Sequence, residues 1–213
     1  MTRRGFFVVL EGPEGSGKST LQGPLAERMR AVGIEPVVVR EPGSTRTAEI
    51  ARQALLDPEH PVSPLAELFL YLAARADLVQ TIIEPALAAG RVVLSDRFAL
   101  TTEAYQMAGR RLDADLVQAG NHAATHGLRP DLTLIIDLAP EIGLARQVAA
   151  GKQQDRLERE SAEFHRRVVE YYLAVRGSGV RHLDGRLPPD QLLQAAWSEV
   201  CAAAPETFRS AVG

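Results

Sequence analysis

Short apolar runs alternate along the chain with longer stretches in which apolar residues return at helical spacing. FFVVL (6–10), PVVVR (36–40), RVVLS (91–95) and DLTLIID (131–137) are nearly continuous in apolar residues, so each is expected as a strand covered on both faces. GVRHLD (179–184) is a weaker fifth. Helical spacing marks residues 18–32, the Ala- and Leu-rich 64–89, and 113–126, which opens on an aspartate suited to capping. Residues 156–176 show an apolar face through Leu157, Phe164, Val168 and Tyr172, and a last helix is expected over 189–203. Strand and helix in alternation predict an α/β architecture of three layers: a parallel five-stranded sheet with helices on both faces. In such sheets ligands collect beyond the carboxyl ends of the strands. The run AAGKQQD (149–155) interrupts two helical patterns and reads as a mobile surface loop.

Composition narrows this picture without redirecting it. A chain of 213 residues suits one domain with a full core, so a single domain over 1–213 is expected. The formal net charge of −3 argues against a general grip on nucleic acid or anionic lipid, so any anion site must be local. The lone cysteine, Cys201, forbids an internal disulfide and fits a reducing cytoplasm. No apolar run approaches the roughly 20 residues of a membrane span, and the first residues read as a buried strand rather than a secretory signal. The five histidines show no metal-ligand spacing; His122 and His126 share a helical face but lack a third ligand.

The chemistry begins directly after the first strand. Gly12-Pro13-Glu14-Gly15-Ser16-Gly17-Lys18-Ser19, followed by Thr20, fits G-x-x-x-x-G-K-[ST] in its required setting between a strand and a helix. Glycines let the backbone curl so that N–H groups point at phosphate oxygens, and the helix end adds its dipole. Lys18 then reaches the β- and γ-phosphates and the Ser19 hydroxyl ligates Mg²⁺. The anion is the phosphate tail of a nucleoside triphosphate, and the sheet is that of a P-loop NTPase.

A P-loop alone does not separate switches, motors and kinases. No Asn-Lys-x-Asp guanine reader is present, and the chain is smaller and less basic than most DNA-handling ATPases. A small-molecule kinase needs a second anion site. Arg40 ends the second strand, Asp96-Arg97 ends the third, and Arg75 lies four residues after Tyr71 on one helical face. Taken singly, each is equally well a surface charge, a local ion pair or helix core. Two arginines at strand ends on the same rim as a P-loop favour a second phosphate site.

These residues resemble a family. EGPEGSGKS, REPGST, the AELFLYLAAR helix, SDRF, TTEAYQ, RPDLTLIIDL and DRLERES match the thymidylate kinases in order, from about residue 5 to about 185. The resemblance implies transfer of a phosphoryl group from Mg-ATP to thymidine 5′-monophosphate, a step in dTTP biosynthesis. It implies that Lys18, Ser19 and the cradle from Gly12 to Thr20 hold ATP, that Ser19 and Asp96 serve the metal, and that Glu14 faces the acceptor sugar. Arg97 is implied for the acceptor phosphate with Arg40 as helper. Tyr71 would stack on the base, Arg75, Thr102 and Gln106 would read it, and Tyr105 would press on the deoxyribose. Pro42 matches the family's loop proline, with a cis Glu41–Pro42 bond expected. Members are homodimers, and the apolar faces of 64–89 and 113–126 are the expected interface.

Pro13 to Ser16 contain no arginine, so the resemblance assigns the catalytic cation to a lid at about 146–158. Arg156 is the first choice, ahead of Lys152 and Arg146. The sequence departs from the family at Phe98, where tyrosine is frequent, and at Val148 and Ala150, where basic residues are common. Two other readings stay open here: a kinase for another nucleoside monophosphate or a deoxynucleoside, and a nucleotide-dependent switch with no small acceptor.

Overall fold

The computed structural model describes residues 4–151 and 154–208. Five strands, β1 (Phe7–Glu11), β2 (Val37–Arg40), β3 (Val93–Asp96), β4 (Leu132–Asp137) and β5 (Val180–Asp184), form one parallel sheet in the order β2-β3-β1-β4-β5. The register pairs Leu10 with Asp96, Arg40 with Asp96 and Glu11 with Ile135. Chemically active residues at the ends of three strands are thereby brought to one rim.

Nine helices surround the sheet among the described residues: α1 (Lys18–Ala31), α2 (Arg46–Leu56), α3 (Pro64–Leu78), α4 (Glu84–Ala88), α5 (Ala99–Thr102), α6 (Ala114–Thr125), α7 (Pro140–Ala149), α8 (Ala162–Ala174) and α9 (Pro189–Ala203). Alternation along β1 sends Val8 and Leu10 to one face and Phe7 and Val9 to the other. The first face packs Leu21, Leu25 and Met29 of α1 and Trp197 and Val200 of α9. The second packs Leu78, Ile83, Leu87 and Phe98, and a neighbouring cluster joins Tyr71, Tyr105, Phe164, Val168 and Tyr172.

The expected helix over 64–89 is divided. After α3 the chain opens into a π-helical turn, Val79–Ile83, before α4. Pro85 has no N–H for the regular ladder, and its ring crowds the carbonyl four residues earlier, so the register must loosen there. A second π-helical stretch, Glu103–Gly109, continues α5 and carries Tyr105 and Gln106. The expected helix over 156–176 begins only at Ala162. Asp155 Oδ1 accepts from the amides of Leu157 and Glu158 and holds a separate turn, and Ser161 then caps α8 through the Phe164 amide at 3.2 Å. The α2 helix lies outside the expected helices, although Thr45 caps it and Ala48, Ala51 and Leu55 bury one of its faces at helical spacing.

Candidate active site

The loop after β1 is shaped by three glycines with positive φ: Gly12 at 138°, Gly15 at 71° and Gly17 at 102°. Only glycine adopts these angles without strain. There is also no room for a side chain at Gly12, where a Cβ would lie 2.6 Å from the Ile136 carbonyl oxygen. The loop closes around Lys18, whose Nζ donates to the carbonyls of Gly12 (2.9 Å) and Pro13 (2.7 Å) and to Ser16 Oγ (3.3 Å). Burial pulls the Lys18 ammonium down to about 8, with Arg97 adding to the fall and Glu14 and Asp96 opposing it. Next to it, Ser19 Oγ donates to Asp96 Oδ2 at 2.8 Å, while Asp96 Oδ1 is buried with no protein partner among the described residues.

Arg97 follows Asp96 in a left-handed conformation, φ 74°, that a non-glycine residue adopts only when its surroundings enforce it. Its amide donates to Leu10 O at 2.9 Å and its carbonyl accepts from Ser95 Oγ at 2.7 Å. The next turn is held by Glu11. This wholly buried carboxylate accepts from the amides of Phe98 (2.9 Å) and Thr101 (3.2 Å) and from the hydroxyls of Thr101 (2.7 Å) and Tyr172 (2.9 Å). Burial raises the Glu11 carboxyl above the ordinary range, although Thr101, Arg97 and Tyr172 oppose the rise. So anchored, the Arg97 guanidinium pairs with Glu14, lies 5.2 Å over the Tyr105 ring and reaches Gly12 O at 3.4 Å. Tyr105 donates its hydroxyl to Glu14 at 3.2 Å.

One cleft of about 890 Å³ runs past Glu14, Lys18, Ser19, Asp96, Arg97 and Tyr105. At one end its wall is the P-loop with Arg146, Gln147 and the segment after β5 from Gly185 to Leu193. At the other it is Arg40, Pro42, Arg52, Tyr71, Arg97, Thr101 and Tyr105, joined by Asp155 and Leu157. The Glu41–Pro42 peptide is cis. Arg40 pairs with Glu49 at 2.8 Å, and Arg52 donates to Pro42 O at 2.9 Å. The cleft therefore has a cationic, glycine-lined end and an arginine- and tyrosine-lined end, joined at Lys18, Glu14 and Arg97.

Several expected site residues lie elsewhere. Arg75 is fully buried behind Tyr71 and donates to Glu41 Oε2 (2.8 Å), Thr102 Oγ1 (2.8 Å), Asn121 Oδ1 (2.6 Å) and Phe98 O (3.0 Å). Thr102 and Gln106 are equally buried and do not line the cleft, whereas the adjacent Thr101 does. Arg156 is not at the phosphate cradle. Its Nε donates to Leu55 O at 3.0 Å, and its Nη2 stands 2.6 Å from Glu67 Oε2 as an ion contact without the alignment of a hydrogen bond. Of the two lid arginines it is Arg146 that stands at the P-loop, donating to Gly15 O at 3.3 Å. Lys152 lies outside the described residues. Glu11, Arg52 and the segment from Gly185 to Leu193 were not expected at the site. Glu11 alone carried a visible signal, a carboxylate ending an otherwise apolar strand just before the glycine loop.

The family model described as thymidylate kinase matches residues 10–194. The chain is 46% identical over 197 residues to a thymidylate kinase of Synechococcus sp. (strain JA-2-3B'a(2-13)), covering 91% of this chain and 93% of the relative. It is 42% identical over 200 residues to one from Deinococcus radiodurans, covering 92% and 97%. It is 51% identical over 170 residues to one from Pseudomonas fluorescens (strain Pf0-1), covering 79% and 80%.

Proposed function

The chain belongs to the thymidylate kinase family, and from that premise we propose how its cleft performs the family's reaction. The enzyme phosphorylates thymidine 5′-monophosphate to the diphosphate with ATP as donor. One observation carries the arrangement of roles: Lys18 in its glycine cradle and Arg97 on its anchored turn face the same cleft, with Glu14 between them.

ATP takes the glycine-lined end. The Lys18 ammonium exchanges the carbonyls of Gly12 and Pro13 for the β- and γ-phosphates, and loop amides from Gly15 to Thr20 bind the same oxygens. Ser19 and Asp96 suit Mg²⁺, because Asp96 offers a buried oxygen that no donor among the described residues satisfies. When bound, Mg²⁺ supplies charge neutralisation at the phosphate oxygens. Arg146, already at the Gly15 carbonyl, is the lid arginine among the described residues that is placed to reach the donor phosphates.

Thymidylate takes the other end, its phosphate on Arg97 with Arg40 in support, its base against Tyr71 and its sugar between Glu14 and Tyr105. The nucleophile is a phosphate oxygen. A monoester's second pKa is about 6, so it is already anionic at neutral pH and no general base is required. The barrier is the approach of two anions, and fixed cations with in-line positioning lower it. In this conformation Arg75, Thr102 and Gln106 support the base end from behind its wall.

We read residues 1–213 as one kinase domain with its lid at about 146–158, working in the cytoplasm. No helix among the described residues is long and apolar enough to cross a membrane. We assign a homodimer contact to α2, α3 and α6, where Ile50, Phe69, Leu65 and Leu116 are 61%, 53%, 44% and 39% exposed. The substrate assignment is tested by kcat/KM for thymidine, uridine and cytidine monophosphates. Preference for a base other than thymine would replace it with the wider reading of a nucleoside monophosphate kinase.

A further inference from the structure

Glu67 sits in α3 one helical turn before Tyr71 and is wholly buried. Its Oε1 accepts from Gln106 Nε2 at 2.8 Å and from Arg110 Nε at 3.1 Å. Its Oε2 accepts from Arg110 Nη2 at 3.0 Å and faces Arg156 Nη2 at 2.6 Å. Arg110 also pairs with Glu160 at 2.5 Å and lies 4.9 Å over the Phe164 ring. Two carboxylates and two guanidiniums thus balance in one knot, with Glu67 shared by both arginines.

A buried charge cluster is a poor device for stability, because desolvation consumes most of what the pairing returns. Its better use is to fix a relative position, and the elements joined here point to which one. Tyr71 follows Glu67 on the same face of α3. Gln106 adjoins Tyr105, which lines the acceptor end. Arg156 lies between Asp155 and Leu157, which line the cleft, and Leu157 packs in one cluster with Tyr71 and Tyr105. Its amide and its Nε both reach back to the end of α2, at Leu56 O (3.4 Å) and Leu55 O (3.0 Å). The turn they hold is where the chain returns from the lid to α8.

We propose that Glu67 is a positioning residue that ties the root of the lid to the wall of the acceptor site. Seating of the acceptor against Tyr71 and Tyr105 then sets where the lid root stands, and nucleotide binding is strengthened by the acceptor. Arg156 acts within this tie and not as a cation on the ATP phosphates. The inference rests on the kinase reading above. Wild-type enzyme that fails to phosphorylate thymidylate sinks that reading, whereas the comparison below addresses the tie.

Affinity for a non-hydrolysable ATP analogue is measured calorimetrically with and without thymidylate, for wild type, Glu67→Gln and Arg156→Gln, alongside kcat, both KM values and thermal melting. Wild type should bind the analogue at least about fivefold more tightly with thymidylate present. Glu67→Gln, which keeps shape and loses charge, should bring that factor close to one and lower kcat by roughly tenfold while remaining folded. Arg156→Gln leaves Glu67 bonded to Arg110 and Gln106, so it reports on the same tie should Glu67→Gln fail to fold. The double variant should be no slower than the slower single one, because both cut one link. A wild type without coupling, variants that keep it, or penalties that multiply in the double variant would each overturn the proposal.

Discussion

Replacing Gly143 by alanine is the sharpest structural test of how the lid meets the phosphate cradle. Gly143 closes the first turn of α7, and a Cβ there would stand 2.3 Å from the Glu14 carbonyl oxygen. The approach is mutual: a Cβ on Gly15 would stand 2.4 Å from the Gly143 carbonyl oxygen. Backbone meets backbone on both sides, so no side chain can swing away. An ordinary carbon–oxygen contact lies near 3.4 Å, so α7 must retreat by roughly 1 Å, carrying Arg146 with it. A displacement of that size near reacting groups costs on the order of 100-fold in rate, and overpacking costs about 1–3 kcal/mol of stability. In a coupled assay of ADP release, kcat/KM for ATP should fall by one to two orders of magnitude. KM for thymidylate should change little, because Arg97, Tyr71 and Tyr105 are held by other elements. Gly23→Ala is the control. A Cβ at that exposed position in α1 meets nothing within 4 Å, and its activity should match wild type. Wild-type kcat/KM for ATP in Gly143→Ala would refute the claim that this contact positions α7.

Two further perturbations probe buried charge. Burial lowers Lys18 from 10.5 to about 8, so between those values the folded chain binds fewer protons than the unfolded one. The burial penalty is therefore fully present below about 8 and relieved as pH rises toward 10.5. Bound phosphates favour the ammonium, so ATP binding above pH 8 should weaken with pH and take up a proton. Calorimetry at pH 9 in buffers of different ionisation enthalpy should detect that uptake in wild type and none in Lys18→Arg, whose guanidinium stays charged. Observed heats in wild type that do not vary with the buffer's ionisation enthalpy would contradict the assignment. Glu11→Ala strands two amides and leaves the Thr101 and Tyr172 hydroxyls only each other, and should cost about 3 kcal/mol by chemical denaturation, with a matching loss of acceptor affinity at Arg97. Glu11→Gln keeps an acceptor for the amides and can donate to the rotatable hydroxyls, so it should retain most of that stability. Equal losses in the two variants would show that the bonds to Glu11 do not hold the turn.

The sequence made most of the donor side legible because its signals are local. A glycine that needs positive φ, a lysine at the helix start and a strand with no polar face each betray their conformation within a few residues. Asp113 is a case in point: expected as a helix cap, it accepts from the Leu116 amide at 2.9 Å. What stayed hidden depends on distant partners. Gly143 and Gly15 meet backbone to backbone, which leaves no trace in side-chain chemistry. Arg146 and Arg156 look alike as lid cations, and only the buried Glu67, far away in α3, decides which one is drawn off. The family resemblance places Arg75 on the base, yet Glu41, Thr102 and Asn121 claim its donors. The late start of α8 was readable in principle, since Ser161 precedes the apolar spacing as a cap, but the apolar Leu157 extended the pattern backward.

Phosphorus NMR of the purified chain with ATP, Mg²⁺ and thymidine 5′-monophosphate tests the whole account at once. Two anionic tails brought together between Lys18 and Arg97 should yield resonances of thymidine diphosphate and ADP in equal amounts, with neither appearing when the monophosphate is replaced by thymidine. ADP with inorganic phosphate and no thymidine diphosphate, or product formed from thymidine itself, would contradict it.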